Sequence, residues 1–158
     1  MSSKDSQPVD VTITPATTAD IPDLDAIADA AHQHQIYPLL SAAGVETLEQ
    51  QRSRRWQRPL NDDGFGALKA TLGDGTVGYI RWRDDYFVFA LYVALDHQGQ
   101  GIGRQLLDAM LAQCPATDIH LRSSINAVGF YQRYGFVAEG DEAVIDGIRF
   151  VPMVYRHR

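Results

Sequence analysis

The chain has 158 residues and a formal net charge of −6 at pH 7, with 45% hydrophobic and 22% charged residues. This length suits one modest domain, and the acidic balance argues against nucleic acid as a partner. The single cysteine, Cys114, excludes a multi-cysteine metal site, and no apolar run is long enough to span a membrane, so we expect a cytoplasmic protein with no metal and no membrane partner.

The chain begins with a polar stretch and a short strand. Residues 1–8 are expected to be disordered, and we expect one domain over residues 9–158. Residues 9–14 are typical of a strand, and a helix capped by Thr18 or Asp20 follows it.

Two helices are predicted before residue 60. The first ends at Tyr37-Pro38, and the second is predicted over 44–57. The first has an apolar stripe formed by Leu24, Ile27, Ala28 and Ala31. The second has a basic cluster formed by Arg52, Arg54, Arg55 and Arg58. We interpret this cluster as a solvated helix face, and a role in anion binding or at an acceptor site is the alternative.

The remaining pattern predicts a sheet. Strands are expected at 65–72, 77–83 and 86–93, and a final hairpin at 143–145 and 148–155 turns at Asp146-Gly147. Alternation along residues 86–93 predicts two sets of side chains on opposite faces of the strand. One set is Phe87, Phe89 and Leu91, and the other is Val88, Ala90 and Tyr92.

The most informative stretch is a glycine-rich turn that reads Gln98-Gly99-Gln100-Gly101-Ile102-Gly103. It follows the strand at 86–93 and precedes an amphipathic helix. Glycines allow positive φ and close approach of a ligand, and unpaired N–H groups at a helix start attract negative charge. The layout therefore predicts a pyrophosphate-binding turn, and a glycine turn without a ligand is the alternative.

Two common nucleotide motifs do not fit this turn. It lacks the Gly-Lys-Ser/Thr of a P-loop, and the third glycine of G-x-G-x-x-G is absent whether the count starts at Gly99 or at Gly101. The spacing that fits is Q-x-x-G-x-G, formed by Gln98, Gly101 and Gly103.

A second pattern follows one helix and one strand later. Residues 118–122 alternate as a half-buried strand does, and residues 126–134 predict a short helix that ends at Gly135. This region contains the string Ala127-x-x-Phe130-Tyr131-x-x-x-Gly135-Phe136. Together, in this order and at this separation, the two patterns resemble the signatures of the GNAT superfamily of acyl-CoA-dependent N-acetyltransferases.

The resemblance implies a fold and a set of partners. The fold is an α/β (α+β layered) single domain with a central mixed, mostly antiparallel sheet, splayed parallel central strands and helices on both faces. The implied partners are acetyl-CoA as cosubstrate and an amine acceptor, and a homodimer is the assembly that is common in the superfamily.

The resemblance also assigns cofactor-binding residues. The pantetheine arm is expected to bond the strand backbone at Leu91, Tyr92 and Val93. The pyrophosphate is expected at Gln98, Gly99, Gln100, Gly101, Ile102, Gly103 and Arg104, with Arg133 as a further phosphate contact or a plain surface arginine. Ser124 and Asn126 either contact pantetheine or cap the following helix, and for Ser124 we favour the cap.

Tyr131 occupies the superfamily's general-acid position, where a phenol can protonate the leaving thiolate. The alternative is that its ring only packs. The base is less defined, because the strand at 86–93 lacks the usual carboxylate. His120 is the first candidate, since its pKa suits the task and its strand lies beside the expected cleft. The alternatives are Asp85, His32, His34 and a water chain.

The predicted function is transfer of an acetyl group from acetyl-CoA to a primary amine of a small molecule or peptide, by direct attack in a ternary complex. A non-catalytic acyl-CoA-binding regulatory module and a nucleotide-binding enzyme are the alternatives. Acceptor specificity is expected from residues 32–59 and the final hairpin, and the acidic surface favours cationic amines by steering.

Overall fold

The computed structural model describes residues 8–114 and 118–156. Disorder was predicted for residues 1–8, and residues 1–7 of this segment lie outside the described ranges. Eight strands form within the described residues. They are β1 (Thr12–Pro15), β2 (Phe65–Leu72), β3 (Gly75–Arg83), β4 (Phe87–Val93), β5 (Ile119–Ser123), β6 (Val137–Ala138), β7 (Ala143–Ile145) and β8 (Ile148–Tyr155). Their order in the sheet is β1-β2-β3-β4-β5-β8-β6, and β7 pairs with β8.

The sheet is antiparallel except at its centre, where β4 and β5 run parallel. These two strands share two residue pairs, Phe87 with His120 and Val88 with Leu121. From Phe89 onward, the edge of β4 that faces β5 has no strand partner among the described residues. The predicted mixed, mostly antiparallel sheet with parallel strands that part at its centre is confirmed.

A β-bulge at Phe89 changes which side chains of β4 share a face. Arg81 pairs with Ala90 while the next residue of β3 pairs with Val88, so Phe89 is an extra residue on its strand. Val88 therefore packs in the same core cluster as Leu91, and Phe89 turns toward the guanidinium of Arg81, 4.9 Å from its ring centroid. The strict alternation predicted for this strand was wrong because one inserted residue reverses the pattern.

Four α-helices cover the two faces of the sheet: α1 (Ile21–Ala31), α2 (Ala42–Arg52), α3 (Ile102–Gln113) and α4 (Val128–Tyr134). Helix α1 packs with Tyr79 on one face. Helices α3 and α4 pack with Ile80 and Trp82 on the opposite face, so the predicted helices on both faces are confirmed. None of the helices in the described ranges has the length and apolar character needed to cross a membrane.

Helix α1 begins at Ile21, and Asp20, one of the two predicted caps, occupies its N-cap position without a side-chain capping bond to the helix. A short 3-10 turn, Thr18–Asp20, precedes the helix, and Thr17 caps this turn. The amide of Thr17 donates to the carboxylate of Asp20 at 2.8 Å, and the two side chains also bond each other at 3.2 Å. The predicted stripe is confirmed, because its members Leu24, Ile27, Ala28 and Ala31 are all buried.

Helix α2 ends at Arg52, well before the predicted end at residue 57. The turns that follow present three backbone carbonyls to the buried guanidinium of Arg81. Its Nη1 donates to Arg55 at 2.9 Å, and its Nη2 lies 3.4 Å from the carbonyl of Arg58 and 3.5 Å from that of Pro59. These contacts fix the segment after α2 against β3.

Helix α2 packs directly, backbone against backbone, on the turn of the β7–β8 hairpin. A Cβ added at Gly44 would lie 2.2 Å from the carbonyl oxygen of Gly147. Gly147 has a φ of 82°, which favours glycine, and Thr47 Oγ1 donates to the carbonyl of Asp146 at 2.7 Å. The predicted Asp146-Gly147 turn therefore also holds α2 in place.

Replacing Gly44 by alanine should force α2 away from the hairpin. We expect Gly44→Ala to lower the free energy of unfolding by about 1–3 kcal/mol, as overpacking does, measured by urea denaturation. The matched control is Gly75→Ala, since a Cβ there would meet its nearest atom at 3.9 Å and should change stability little. Equal stability of the two variants would contradict the described packing.

Candidate functional site

The glycine turn lies between β4 and α3 and has the backbone that its sequence predicts. Gly99 and Gly101 each have a φ of 80°, in the left-handed region that favours glycine. Helix α3 begins at Ile102, and its first backbone bond runs from Gln105 N to the carbonyl of Gly101 at 3.1 Å. The amides of residues 102–104 therefore lie before the helical ladder, where they can donate to an anion.

A cleft of about 510 Å³, here called the turn cleft, opens between this turn, β4 and α4. Most of the predicted binding residues line it: Leu91, Tyr92, Val93, Gln98, Gly99, Gly101, Ile102, Gly103, Arg104, Ser124, Asn126, Tyr131 and Arg133. Gln100 does not. Its carbonyl accepts from the amide of Val9 at 2.9 Å, and its side chain lies 3.2 Å from His97 Nδ1.

Two arginines add positive charge to the turn cleft. Arg104 lies in the first turn of α3, where a cation opposes the helix dipole and where no acidic residue is present. Its guanidinium stacks 5.2 Å from the ring centroid of Tyr134, and Arg133 lies on the same wall. With the unpaired helix amides, these side chains suit a polyanionic ligand such as a pyrophosphate.

One turn of π-helix, His32–Ile36, continues α1 and forms another wall of the turn cleft. Such turns are rare and often lie at functional sites. The side-chain amides of Gln35 and Gln98 exchange two hydrogen bonds, at 2.7 and 3.1 Å. Gln98 Nε2 also donates to the carbonyl of Val93 at 3.2 Å, so the glutamine pair ties the π-helical turn to both β4 and the glycine turn.

Tyr131 lies where the turn cleft meets a second cleft, here called the hairpin cleft, of about 390 Å³ between β4, α2 and the β7–β8 hairpin. Its ring packs edge-on between Phe130 and Phe136, with centroids 5.2 and 5.4 Å away. Within the described residues its hydroxyl forms no hydrogen bond. Burial, with a smaller effect of Tyr92, raises the pKa of Tyr131 above its ordinary value, so the hydroxyl keeps its proton at neutral pH.

Ser124 does not act as the side-chain cap that we favoured. It occupies the capping position of the 3-10 turn Ile125–Ala127, but its hydroxyl forms no capping bond. Its carbonyl instead accepts from Ser123 Oγ at 2.7 Å and from the amide of Ala127 at 3.1 Å. The side chains of Ser124 and Asn126 both belong to the wall of the turn cleft.

The predicted base, His120, is not among the residues that line these clefts. It lies at the paired start of β5, before the strands part, and its Nδ1 is 2.9 Å from Glu139 Oε1. Asp85 and His34 are likewise absent from the cleft walls. Of the four side chains considered as the base, His32 is the one that lines a cleft.

His32 is buried, and its partners fix its protonation. Arg55 Nη2 lies 3.3 Å from His32 Nδ1, and because a guanidinium can only donate, Nδ1 accepts. The proton is therefore on Nε2, which donates to the hydroxyl of Tyr92 at 2.8 Å. Burial, together with the charge of Arg55, lowers the pKa of His32 to about 4, so the imidazole is neutral at physiological pH.

The hairpin cleft continues into a third cleft of about 620 Å³. Four guanidinium groups line it, those of Arg54, Arg55, Arg58 and Arg81, and we call it the arginine pocket. The first three belong to the basic cluster that we interpreted as a solvated helix face. Arg81 was not singled out, because one polar residue on a strand carries no local signal of a site.

Neither a metal site nor a reactive thiol is present in the described part of the chain. No group of three or more His, Cys, Asp or Glu residues there is placed to hold a metal ion. The Cys114 thiol is buried, and burial raises its pKa to about 11, so it is a poor nucleophile at neutral pH.

Residues 36–157 match a family model described as acetyltransferase (GNAT) domain. Curated relatives include UPF0039 proteins of Mycobacterium bovis and Mycobacterium tuberculosis, each 37% identical over 59 residues. These matches cover 37% of this chain and 38% of each relative, so the chain spans little more than a third of the length of the curated relatives it matches.

Solved structures with the same fold cover nearly the whole chain. A GCN5-related N-acetyltransferase from Rhodopseudomonas palustris has a TM-score of 0.74 at 22% identity, covering 94% of this chain and 96% of its own. YjaB from Escherichia coli has a TM-score of 0.74 at 22% identity, covering 95% and 100%. The PaiA N-acetyltransferase from Thermoplasma acidophilum, solved in complex with coenzyme A, has a TM-score of 0.73 at 19% identity, covering 94% and 100%.

The buried neutral state of His32 predicts a pH dependence of stability. Between its unfolded pKa of about 6.5 and its folded pKa of about 4, the unfolded chain binds a proton that the folded protein excludes. Stability should therefore fall as the pH is lowered through this range, by up to about 1.4 kcal/mol per pH unit. His32→Gln should remove this part of the slope in urea denaturation at pH 7, 6 and 5.

The exposed His34 provides the matched control, and His34→Gln should keep the wild-type slope. A wild-type slope in His32→Gln would show that His32 is not the group held neutral.

Proposed function

The chain belongs to the GNAT acetyltransferase family, and from this premise we propose that it transfers an acetyl group from acetyl-CoA to a primary amine of a small molecule or peptide. The observation that carries the proposal is the convergence on the turn cleft of an anion-binding turn, an unpaired strand edge and a protonated tyrosine. Each of the three corresponds to one part of acetyl-CoA, namely the pyrophosphate, the amide-bearing pantetheine arm and the thioester.

The residues of the turn cleft suit the binding of acetyl-CoA. Its pyrophosphate would accept from the amides of residues 102–104, and Arg104 and Arg133 would add charge-assisted contacts. The pantetheine amides would bond the edge of β4 at residues 91–93, as an added strand does. Ser124 and Asn126, on the facing wall, are placed to contact the same arm.

Tyr131 supplies the proton for the leaving group in this proposal. The amine nitrogen attacks the thioester carbonyl carbon, the C–S bond breaks, and the thiolate takes the proton of the Tyr131 hydroxyl. The Tyr131 hydroxyl keeps its proton at neutral pH and can donate it to the thiolate, while burial, which raises its pKa, makes it a weaker acid than a free phenol. The proton lost by the amine restores the phenol through water.

The acceptor amine must lose a proton before it attacks, since an alkyl ammonium is protonated at neutral pH. We propose that water in the hairpin cleft removes this proton. His120 is paired with Glu139 away from the clefts, and His32 has its Nδ1 occupied by Arg55 and a pKa of about 4. Neither is therefore assigned as the base.

A non-catalytic acyl-CoA-binding module remains the second candidate. The weak set of candidate bases favours it, because His32 is the one predicted candidate that lines a cleft, and its Nδ1 accepts from Arg55. The binding module and the enzyme differ in one measurable respect. The enzyme releases the CoA thiol when an amine is present, and the binding module does not.

Tyr131→Phe should lower acetyl-CoA-dependent thiol release by about 10²–10⁴-fold, because the variant lacks the proton donor. The measurement is thiol release with a panel of primary amines. Binding of CoA, measured by calorimetry, should be retained, since the ring still packs on Phe130 and Phe136. Tyr86→Phe is the control, because Tyr86 is 40% exposed and lies outside the clefts. Equal rates for the two variants would exclude Tyr131 as the acid.

Acetyl-CoA and CoA should each raise the melting temperature, whereas ATP and NAD should not. The reason is that a ligand that binds the folded state stabilises it by mass action, by about 2.7 kcal/mol at a concentration 100 times Kd. Thermal denaturation with each ligand measures this. A shift with NAD or ATP and none with CoA would contradict the assignment of the turn cleft to acetyl-CoA.

A further inference from the structure

The arginine pocket has a charge opposite to that of the chain as a whole. Its walls carry four arginines and no aspartate or glutamate, whereas the chain has a net charge of −6. The other lining residues are neutral side chains from α2, β3 and β4 and the segments that follow α1 and α2. Positive charge gathered in a concave site on an acidic protein attracts anions locally.

Three of the four arginines have no acidic partner. Arg55 pairs with Asp25 at 3.0 Å. Within residues 8–114 and 118–156, no carboxylate forms an ion pair with Arg54, Arg58 or Arg81. Because like charges at short range repel, an anion in the pocket would relieve an unfavourable interaction as well as form hydrogen bonds.

Arg81 makes the pocket a built site rather than a group of surface side chains. The residue is 1% exposed, and its guanidinium is stacked between the rings of Trp56 and Phe89, at 4.8 and 4.9 Å. Its Nη atoms donate to backbone carbonyls, but its buried Nε has no acceptor in the described protein. A buried guanidinium without a counter-charge is costly, and a bound anion would offset that cost.

The pocket is continuous with the place where the acetyl group would be transferred. His32, Phe89, Ala90 and Tyr92 line both the arginine pocket and the hairpin cleft, and Tyr131 lines both the hairpin cleft and the turn cleft.

From this arrangement we infer that the acceptor is a small amine that carries an anionic group, a carboxylate or a phosphate, away from its nitrogen. The arginine pocket binds the anion and so directs the amine toward Tyr131. This inference rests on the proposed function, and it reverses the expectation from net charge that cationic amines are preferred.

A matched set of six-carbon amines tests the inference. The amines are 6-aminohexanoate, n-hexylamine and 1,6-diaminohexane, with 5-aminopentyl phosphate to distinguish phosphate from carboxylate. We expect kcat/KM for at least one anionic amine to exceed that for hexylamine by about tenfold to hundredfold, the range of charge-assisted hydrogen bonds. The more efficient of the two anionic amines identifies the anion.

Arg58→Gln should reduce this preference by about tenfold, because it removes an exposed guanidinium that the fold does not depend on. Binding of 6-aminohexanoate to the CoA-loaded protein, measured by calorimetry, should weaken in parallel. Arg156→Gln is the control, since it removes the same charge from a surface residue outside the three clefts and should keep the wild-type preference.

The outcomes separate this inference from the proposed function. Thiol release with hexylamine or diaminohexane at rates equal to those with the anionic amines would overturn the inference alone. An unchanged preference in Arg58→Gln would do the same. If none of the amines, including the anionic ones, supports thiol release, the proposed function and this inference are overturned together.

Discussion

Strands β4 and β5 are hydrogen-bonded over two residue pairs, and the parting of the two strands after Val88 and Leu121 decides where the other functional groups lie. The parting leaves one edge of β4 unpaired, and an extended ligand can pair with such an edge. The bulge at Phe89 coincides with this point and directs that side chain toward the arginine pocket. One irregularity in the sheet thus separates the turn cleft, where we propose that the acyl donor binds, from the arginine pocket, where we infer that the acceptor's anion binds.

The electrostatics of the two surfaces follow from different parts of the chain. The turn cleft obtains its positive character from backbone amides at the start of α3 and from Arg104. The arginine pocket obtains it from side chains, and the carboxylate of Asp25 neutralises Arg55 among them. A net charge of −6 describes neither surface, because steering acts at long range whereas recognition depends on the charges within a few ångströms.

The structural features that could be predicted from the sequence are those that depend on residue type and spacing within a short segment. The φ values of Gly99 and Gly101, the buried stripe of α1 and the Asp146-Gly147 turn all follow from residue type and spacing. The strand face of Val88 could not be predicted, because a bulge depends on pairing with a distant strand. Likewise, the contacts between Arg81 and the carbonyls that follow α2 could not be predicted, because they join residues far apart in the chain.

The candidate site shows the same division. Most residues of the two motifs line the turn cleft, with Gln100, Gly135 and Phe136 as the exceptions, since a local motif places its own members. The π-helical turn with Gln35 was not predicted, because its insertion into α1 has no pattern in the sequence. His120 was proposed because its strand borders the gap, but it lies at the paired end of that strand beside Glu139. Whether a residue of this strand reaches a cleft therefore depends on where along the strand it lies.

The most direct test of this account is a crystal structure of the protein with acetyl-CoA bound. We expect the pyrophosphate on the amides of residues 102–104, the pantetheine arm paired with β4 at residues 91–93, and the thioester beside Tyr131. Acetyl-CoA bound outside the gap between β4 and β5, or with its thioester remote from Tyr131, would contradict it.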